Sequence, residues 1–263
     1  MPRIDVVRAG FPEIPGMDTA LSHAILLRVS AGEMGETIRL HRPGAIVAFG
    51  RRDVVDRRFG AAVAAARAEG FEAIERLAGG RAAVFHPGTI AFAWAFPDEA
   101  PRERVRRRFD TVAKVITDAI RSLGADARIG EVPGEYCPGS HSINIGGRRK
   151  IVGVGQRLVA RAAHVGGVVV VEGAAEVRRV LLPVYRELGI EWDPETTGDL
   201  ASALPGIDLE TVADSMLTRV AEEADMVEIE PDSATIALAE QLAPRHVVDY
   251  QPIPRVSASL TAE

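Results

Sequence analysis

Apolar positions along the chain recur in two alternating periods, near 3.6 and near 2, which predicts a mixed α/β fold. Ala20, Leu21, Ala24, Ile25 and Leu27 repeat at helical spacing behind Asp18, so a first helix over 18–29 is expected with Asp18 as its N-cap. Extended runs follow at 37–41 and 45–49, joined through Arg42-Pro43-Gly44. The alanine-rich stretch 59–69 predicts a helix stopped by Gly70. Segments 72–77, 82–85 and 90–96 read as strands separated by Gly79-Gly80 and Pro87-Gly88, and are expected to be neighbours in one sheet. Pro101 opens an amphipathic helix to about Leu123, with Val105, Phe109, Val112, Ile116 and Ile120 inward.

Residues 130–140 hold five glycine or proline positions and read as a loop with its backbone pinned. A hairpin follows, Ile143–Ile145 and Lys150–Gln156 around Gly146-Gly147, continued by Val159 and an apolar strand over 165–171. Helices are expected near 174–188, 208–224 and 232–242, and the proline-bearing tail 244–263 should be irregular or loosely docked. This divides the chain into a unit over 1–225 and a C-terminal helix with a tail over 226–263.

The 263 residues are 47% hydrophobic but only 5% aromatic, an Ala/Val-rich globular composition that suits one large domain with a small appendage. With 31 basic and 37 acidic side chains the net charge is −6, which argues against duplex nucleic acid as the main partner. The N-terminus lacks an apolar leader and no apolar run approaches the roughly 20 residues that span a bilayer, so a soluble, cytoplasmic protein with no membrane partner is expected.

One cysteine allows neither an internal disulfide nor a thiolate metal cage, so Cys137 is either a small buried hydrophobe or a reagent. Its setting, Glu135-Tyr136-Cys137-Pro138-Gly139, fixes the backbone and is poorly suited to core burial. A working thiolate needs a positive neighbour, and Lys150, one of only two lysines, lies 13 residues on, across a single hairpin. A compact ammonium there can donate to one developing oxyanion; equally, Lys150 can be a solvated strand residue beside Arg148 and Arg149.

The strand, Gly-Gly, strand segment from Arg76 to Gly88 leaves amide groups open to a ligand, or is simply a turn; it fits neither a Walker loop nor a dinucleotide fingerprint. No histidine pair has metalloprotease spacing, so no metal site is expected. His86, His141 and His164 lie on or beside strands as structural or pocket-wall residues, with His141 set apart by standing four residues from Cys137.

Two motifs together carry a resemblance over roughly residues 15–190. RLAGGRAAVFHPGTIAFAWAF, Arg76 to Phe96, resembles the Arg-x-x-Gly-Gly-x-Ala-Val strand-turn-strand of the lipoate–protein ligase, octanoyltransferase and biotin–protein ligase superfamily. EYCPGSHSINIGGRRKIVGVGQR, Glu135 to Arg157, is similar to its Gly-x-Lys-Ile-x-Gly-x-x-Gln segment, and the Tyr-Cys-Pro-Gly step to its cysteine-dependent octanoyl amidotransferase branch. The resemblance implies an α+β fold, a mixed and largely antiparallel sheet flanked by helices. It further implies Cys137 as the acyl-accepting nucleophile and Lys150 as the lysine that binds the acyl carbonyl. Gly79 and Gly80 would shape the acyl pocket, with Arg76 and His86 at its rim, and Gly153 and Gln156 would support the lysine strand, while His141 remains a candidate substrate contact.

The implied reaction takes an octanoyl or lipoyl group from a donor, either an acyl-carrier protein or the glycine-cleavage H protein, through a thioester on Cys137. The acceptor would be a lysine on the lipoyl domains of 2-oxoacid dehydrogenases, and no cofactor would be needed. Arginines 102, 104, 106, 107 and 108 could dock acidic carriers, or form a solvated helix face. Arg81 and Pro87 stand where many ligases of the superfamily carry a third glycine and an Asp, which weakens the alternative of an ATP- and Mg-dependent lipoate ligase. A non-catalytic acyl- or carrier-binding protein is the remaining alternative.

Overall fold

The protein is described from a computed structural model, over residues 1–249. The chain runs β1 (Arg3–Val7), α1 (Met17–Ala31), β2 (Thr37–His41), β3 (Ile46–Phe49), α2 (Arg51–Val54), α3 (Phe59–Ala68), β4 (Glu72–Glu75), β5 (Ala83–Phe85) and β6 (Thr89–Pro97). It continues through α4 (Val105–Ser122), β7 (Ala127–Ile129), β8 (Ile143–Ile145), β9 (Arg149–Leu158), β10 (Ala162–Val170), α5 (Ala174–Leu188), α6 (Leu209–Ala221), β11 (Asp225–Glu228) and α7 (Ser233–Leu242). Eight strands form one sheet in the order β11-β1-β2-β6-β10-β9-β8-β7, parallel at the β11-β1-β2 edge and antiparallel elsewhere. A second sheet has three strands in the order β4-β3-β5.

Strand alternation sorts the side chains of the large sheet. On β2 and β6, Ile38, Leu40, Ile90, Phe92 and Trp94 join the core under α4 and α6. The intervening Ala95 packs on the side where α1 and α7 lie. Arg39, on that side too, is fully buried and reaches back to Asp18, Ser22 and the carbonyl of Ala9. A further core joins the small sheet to α3 and α5 and holds Tyr136 and Tyr185 beside the cysteine loop.

Several local expectations are corrected. Asp18 does not cap α1: the cap is Gly16 in the left-handed region, while the Asp18 carboxylate accepts from the Phe11 amide and pairs with Arg39. The runs at 37–41 and 45–49 are both strands, but the turn between them carries the chain from one sheet to the other, β2 lying in the large sheet and β3 in the small one. Nor are 72–77, 82–85 and 90–96 neighbours: β4 and β5 flank β3, and β6 pairs with β2 and β10. The helix after Pro101 begins only at Val105, after a turn.

β11 joins β1 at the edge of the large sheet and α7 packs on α1. Residues 246–248, within the tail expected to be irregular or loosely docked, are docked on β4: Glu75 N–H donates to His246 O at 2.8 Å and Val248 N–H to Ala73 O at 3.1 Å. The rest of that tail, from 250 on, lies outside the described residues. Among the described residues no helix is long and apolar enough to cross a membrane.

Candidate active site

The loop between β7 and β8 is built around a buried carboxylate. Glu135 accepts from the amides of Val132 at 2.9 Å and Gly139 at 3.2 Å, from Ser142 Oγ at 2.5 Å and from Lys150 Nζ at 2.9 Å. Its side chain is 0% exposed and that of Lys150 is 1% exposed, so the pair survives burial only because nearly every lone pair and proton is used. The remaining two protons of Lys150 go to Tyr136 O at 2.9 Å and Cys137 O at 2.7 Å. A register shift between β8 and β9 breaks the alternation there, so that Lys150, Ile151 and Val152 are buried in succession and Lys150 turns into the loop.

Cys137 is the one non-glycine among the described residues at positive φ, +42°, a region that costs a side chain of order 1 kcal/mol. Each of its polar atoms is held: its amide donates to Tyr185 Oη at 3.1 Å, its carbonyl takes Lys150, and its Sγ accepts the Arg81 amide at 3.2 Å. Arg76 Nη2 stands 3.4 Å from the same sulfur and donates to Arg81 O at 2.6 Å. Gly80, at φ +112°, is required here, because a Cβ would fall 2.2 Å from Arg76 Nη2 and 2.8 Å from Cys137 Sγ. Burial by itself raises the Cys137 thiol, but the Arg76 guanidinium, the Lys150 ammonium and the Arg81 N–H outweigh it, so the thiol titrates below its ordinary value. Tyr136 and Tyr185 are raised by burial and stay neutral phenols.

Cys137 lines a cavity of about 370 Å³ whose walls include Gly79, Phe85, Val105, Phe109, Gly153 and Val168. That volume and largely apolar lining suit a small molecule or a flexible aliphatic chain. Cys137, Lys150, Arg76, Gly79, Gly80, Gly153 and Gln156 all border it.

Other expected site residues are placed elsewhere. His86 is buried at the end of β5 against Gly173 and Glu172, with Nδ1 accepting the Gly88 amide at 3.1 Å, and it does not line the cavity. His141 stacks on the outer side of the wall residue Phe109, 4.9 Å between ring centroids, and bonds to Asp110 and Ser140. The Gln156 amide braces α4, accepting from Arg108 at 2.8 and 2.9 Å and donating to Val105 O at 3.2 Å. Of the arginines near the start of α4, only Arg108 is buried, on Asp98; Arg102, Arg104, Arg106 and Arg107 are exposed, with Arg104 paired to Asp98 and Arg106 to Asp110.

Glu135, Tyr185 and Arg81 were not among the expected site residues. Glu135 carried one usable signal, a carboxylate inside a Gly/Pro loop two residues before the cysteine. Tyr185 carried none, because it reaches the loop from the last turn of α5, 48 residues away. Arg81 contributes through its amide, which any residue but proline could supply.

Comparison with known proteins follows the same lines. The family model of the lipoyl protein ligase A/B catalytic domain matches residues 15–221. An octanoyl-GcvH:protein N-octanoyltransferase of Geobacillus kaustophilus is 28% identical over 170 residues, 65% of this chain and 60% of the relative. A lipoyl-GcvH:protein N-lipoyltransferase of Listeria monocytogenes is 26% identical over 114 residues, 43% of this chain and 41% of the relative. The chain thus spans less than two thirds of the length of these relatives. In fold it is similar to a lipoate protein ligase from T. acidophilum with bound lipoic acid, at TM-score 0.71 and 18% identity, over 93% of this chain and 95% of that one.

Proposed function

We propose that this chain, which belongs to the lipoyl protein ligase A/B catalytic domain family, moves an octanoyl or lipoyl group from a carrier protein through a thioester on Cys137 to a lysine of a lipoyl domain. One observation carries this: Cys137, its sulfur held by a cationic donor and an N–H donor, lines a largely apolar cavity of about 370 Å³. In the first half, the thiolate attacks the carbonyl carbon of an acylated lysine on the donor. The C–S bond forms, the C–N bond breaks, and the departing amine takes a proton from solvent. In the second half, the amine of an acceptor lysine attacks the thioester, loses a proton to solvent, and the sulfur leaves as thiolate.

The negative charge on the tetrahedral oxygen needs a donor, and the Lys150 ammonium borders the same cavity. To reach that oxygen it gives up one of its three loop contacts; one such donor is worth about 3–4 kcal/mol in comparable sites. The acyl group is carried covalently, so this chemistry calls for no cofactor. The relatives' names support GcvH, the glycine-cleavage H protein, as donor; acyl-carrier protein as an alternative donor and lipoyl domains of 2-oxoacid dehydrogenases as acceptors belong to the same proposal, as does a cytoplasmic location.

The test mixes the protein with octanoyl-loaded H protein and an unmodified lipoyl domain in the absence of ATP. Acyl transfer to the acceptor supports the proposal. Acylation only from free lipoate with ATP and Mg would make the protein a ligase, and binding of acyl carrier without turnover would make it non-catalytic.

A further inference from the structure

We propose that Arg76 is a catalytic residue, whose guanidinium, together with the Arg81 amide, seats the Cys137 sulfur as the attacking anion. Lys150 is thereby left to shape the loop and to meet the acyl oxygen. The use of this seat in turnover rests on the thioester relay proposed above, but the seat itself is a property of the resting protein.

Three features point to it. First, the sulfur has two donors within hydrogen-bonding reach, Arg76 Nη2 at 3.4 Å and Arg81 N–H at 3.2 Å, and both are fixed. Arg76 is anchored through its own amide on Phe49 O at 3.0 Å and through Nη2 on Arg81 O at 2.6 Å. Gly80 brings the Arg81 amide to the sulfur in a conformation that excludes a side chain.

Second, among the described residues that line the cavity there is no histidine or carboxylate to act as a base. All three protons of Lys150 lie on oxygens, and neither His86 nor His141 lines the cavity. A guanidinium does not release its proton at working pH, so Arg76 can only stabilise an anion and cannot create one by abstraction. The site is therefore arranged for a thiolate that exists before substrate arrives.

Third, among the described residues Arg76 is the cationic side chain that contacts the sulfur. The Arg81 side chain is paired with buried Asp53 at 3.1 Å, and Lys150 with Glu135 at 2.9 Å. Tyr136 and Tyr185, the other titratable groups packed on the loop, are neutral. Among the described residues no carboxylate forms an ion pair with Arg76, and its Nε is buried without an acceptor, which leaves donor capacity for an incoming carbonyl.

Because Cys137 is the only cysteine, alkylation by iodoacetamide followed by intact mass reports on it alone. The rate is measured against pH for wild type, Arg76→Gln and Arg76→Lys. Arg76→Gln should raise the midpoint by about one to three pH units, the shift expected on losing a cation this close. Its alkaline plateau should match wild type, showing that access to the sulfur is unchanged, and Arg76→Lys should fall between the two. An unchanged midpoint in Arg76→Gln overturns the assignment, as does a midpoint in Arg76→Lys displaced as far as in Arg76→Gln. Should Arg76→Gln not fold, an unchanged midpoint in Arg76→Lys overturns it. A shifted midpoint without acyl transfer leaves the seat standing and removes the transferase reading; transfer with an unshifted midpoint does the reverse.

Discussion

The Lys150 ammonium donates to the carbonyl oxygen of Cys137, at 2.7 Å, and not to its sulfur. The lysine thus governs the backbone at Cys137. Its third partner, Glu135, ties together the amides of Val132 and Gly139 and the hydroxyl of Ser142, so the loop geometry depends on one buried ion pair.

Breaking that pair should cost stability as well as activity. Lys150→Met leaves the Glu135 carboxylate buried without its cation, and such losses run to about 3–5 kcal/mol. The double variant Lys150→Met with Glu135→Gln should recover part of this, since neither charge is stranded. Urea unfolding of the three proteins decides it; a Lys150→Met curve within about 0.5 kcal/mol of wild type would mean the pair is not structural.

The two adjacent glycines should respond in opposite ways. A Cβ on Gly79 meets nothing within 4 Å, so Gly79→Ala should keep the wild-type melting temperature while adding a methyl to the cavity wall. Transfer rates should then shift in favour of acyl chains shorter than octanoyl. Gly80→Ala combines φ +112° with a clash against Arg76 and the sulfur, and should slow alkylation of Cys137 at neutral pH at least about tenfold, the equivalent of 1.4 kcal/mol. Equal behaviour of the two variants in acyl-chain competition and alkylation assays would refute the geometry.

Much of this was legible beforehand, and the gaps have physical causes. The helices at 59–69, 174–188 and 232–242 and the Gly146-Gly147 hairpin stood out because their periodicity and turn residues are local. Strand order did not, since β3, β5 and β6 share the same apolar Ala/Phe-rich composition and nothing local says which sheet each joins. β11 was invisible because its four residues present no apolar face: three are exposed and Met226 is only half-buried. At the site, Cys137 and Lys150 stood out as rare residues in a pinned loop and a hairpin. The sequence could not reveal that the lysine would be spent on oxygens and the sulfur met by an arginine 61 positions away.

Acid should weaken the fold through His164. Burial, with a smaller contribution from nearby His23, lowers this imidazole from 6.5 to about 4. The unfolded chain therefore binds the proton first. Stability is present in full above the unfolded value and is lost as pH falls between 6.5 and about 4, by about 3 kcal/mol for this group. His164→Phe should match wild type at neutral pH and lose less on acidification, read from unfolding free energies across pH. A parallel pH dependence in both proteins would exclude His164 as the cause.

The proposed transfer places a covalent acyl group on one sulfur. Intact mass of the protein after exposure to octanoyl-loaded H protein, followed by peptide mapping, tests it most directly. The expected result is a mass gain of one octanoyl group located on Cys137, released by hydroxylamine and absent from Cys137→Ser. Acyl transfer to a lipoyl domain that proceeds at the wild-type rate in Cys137→Ser would contradict it.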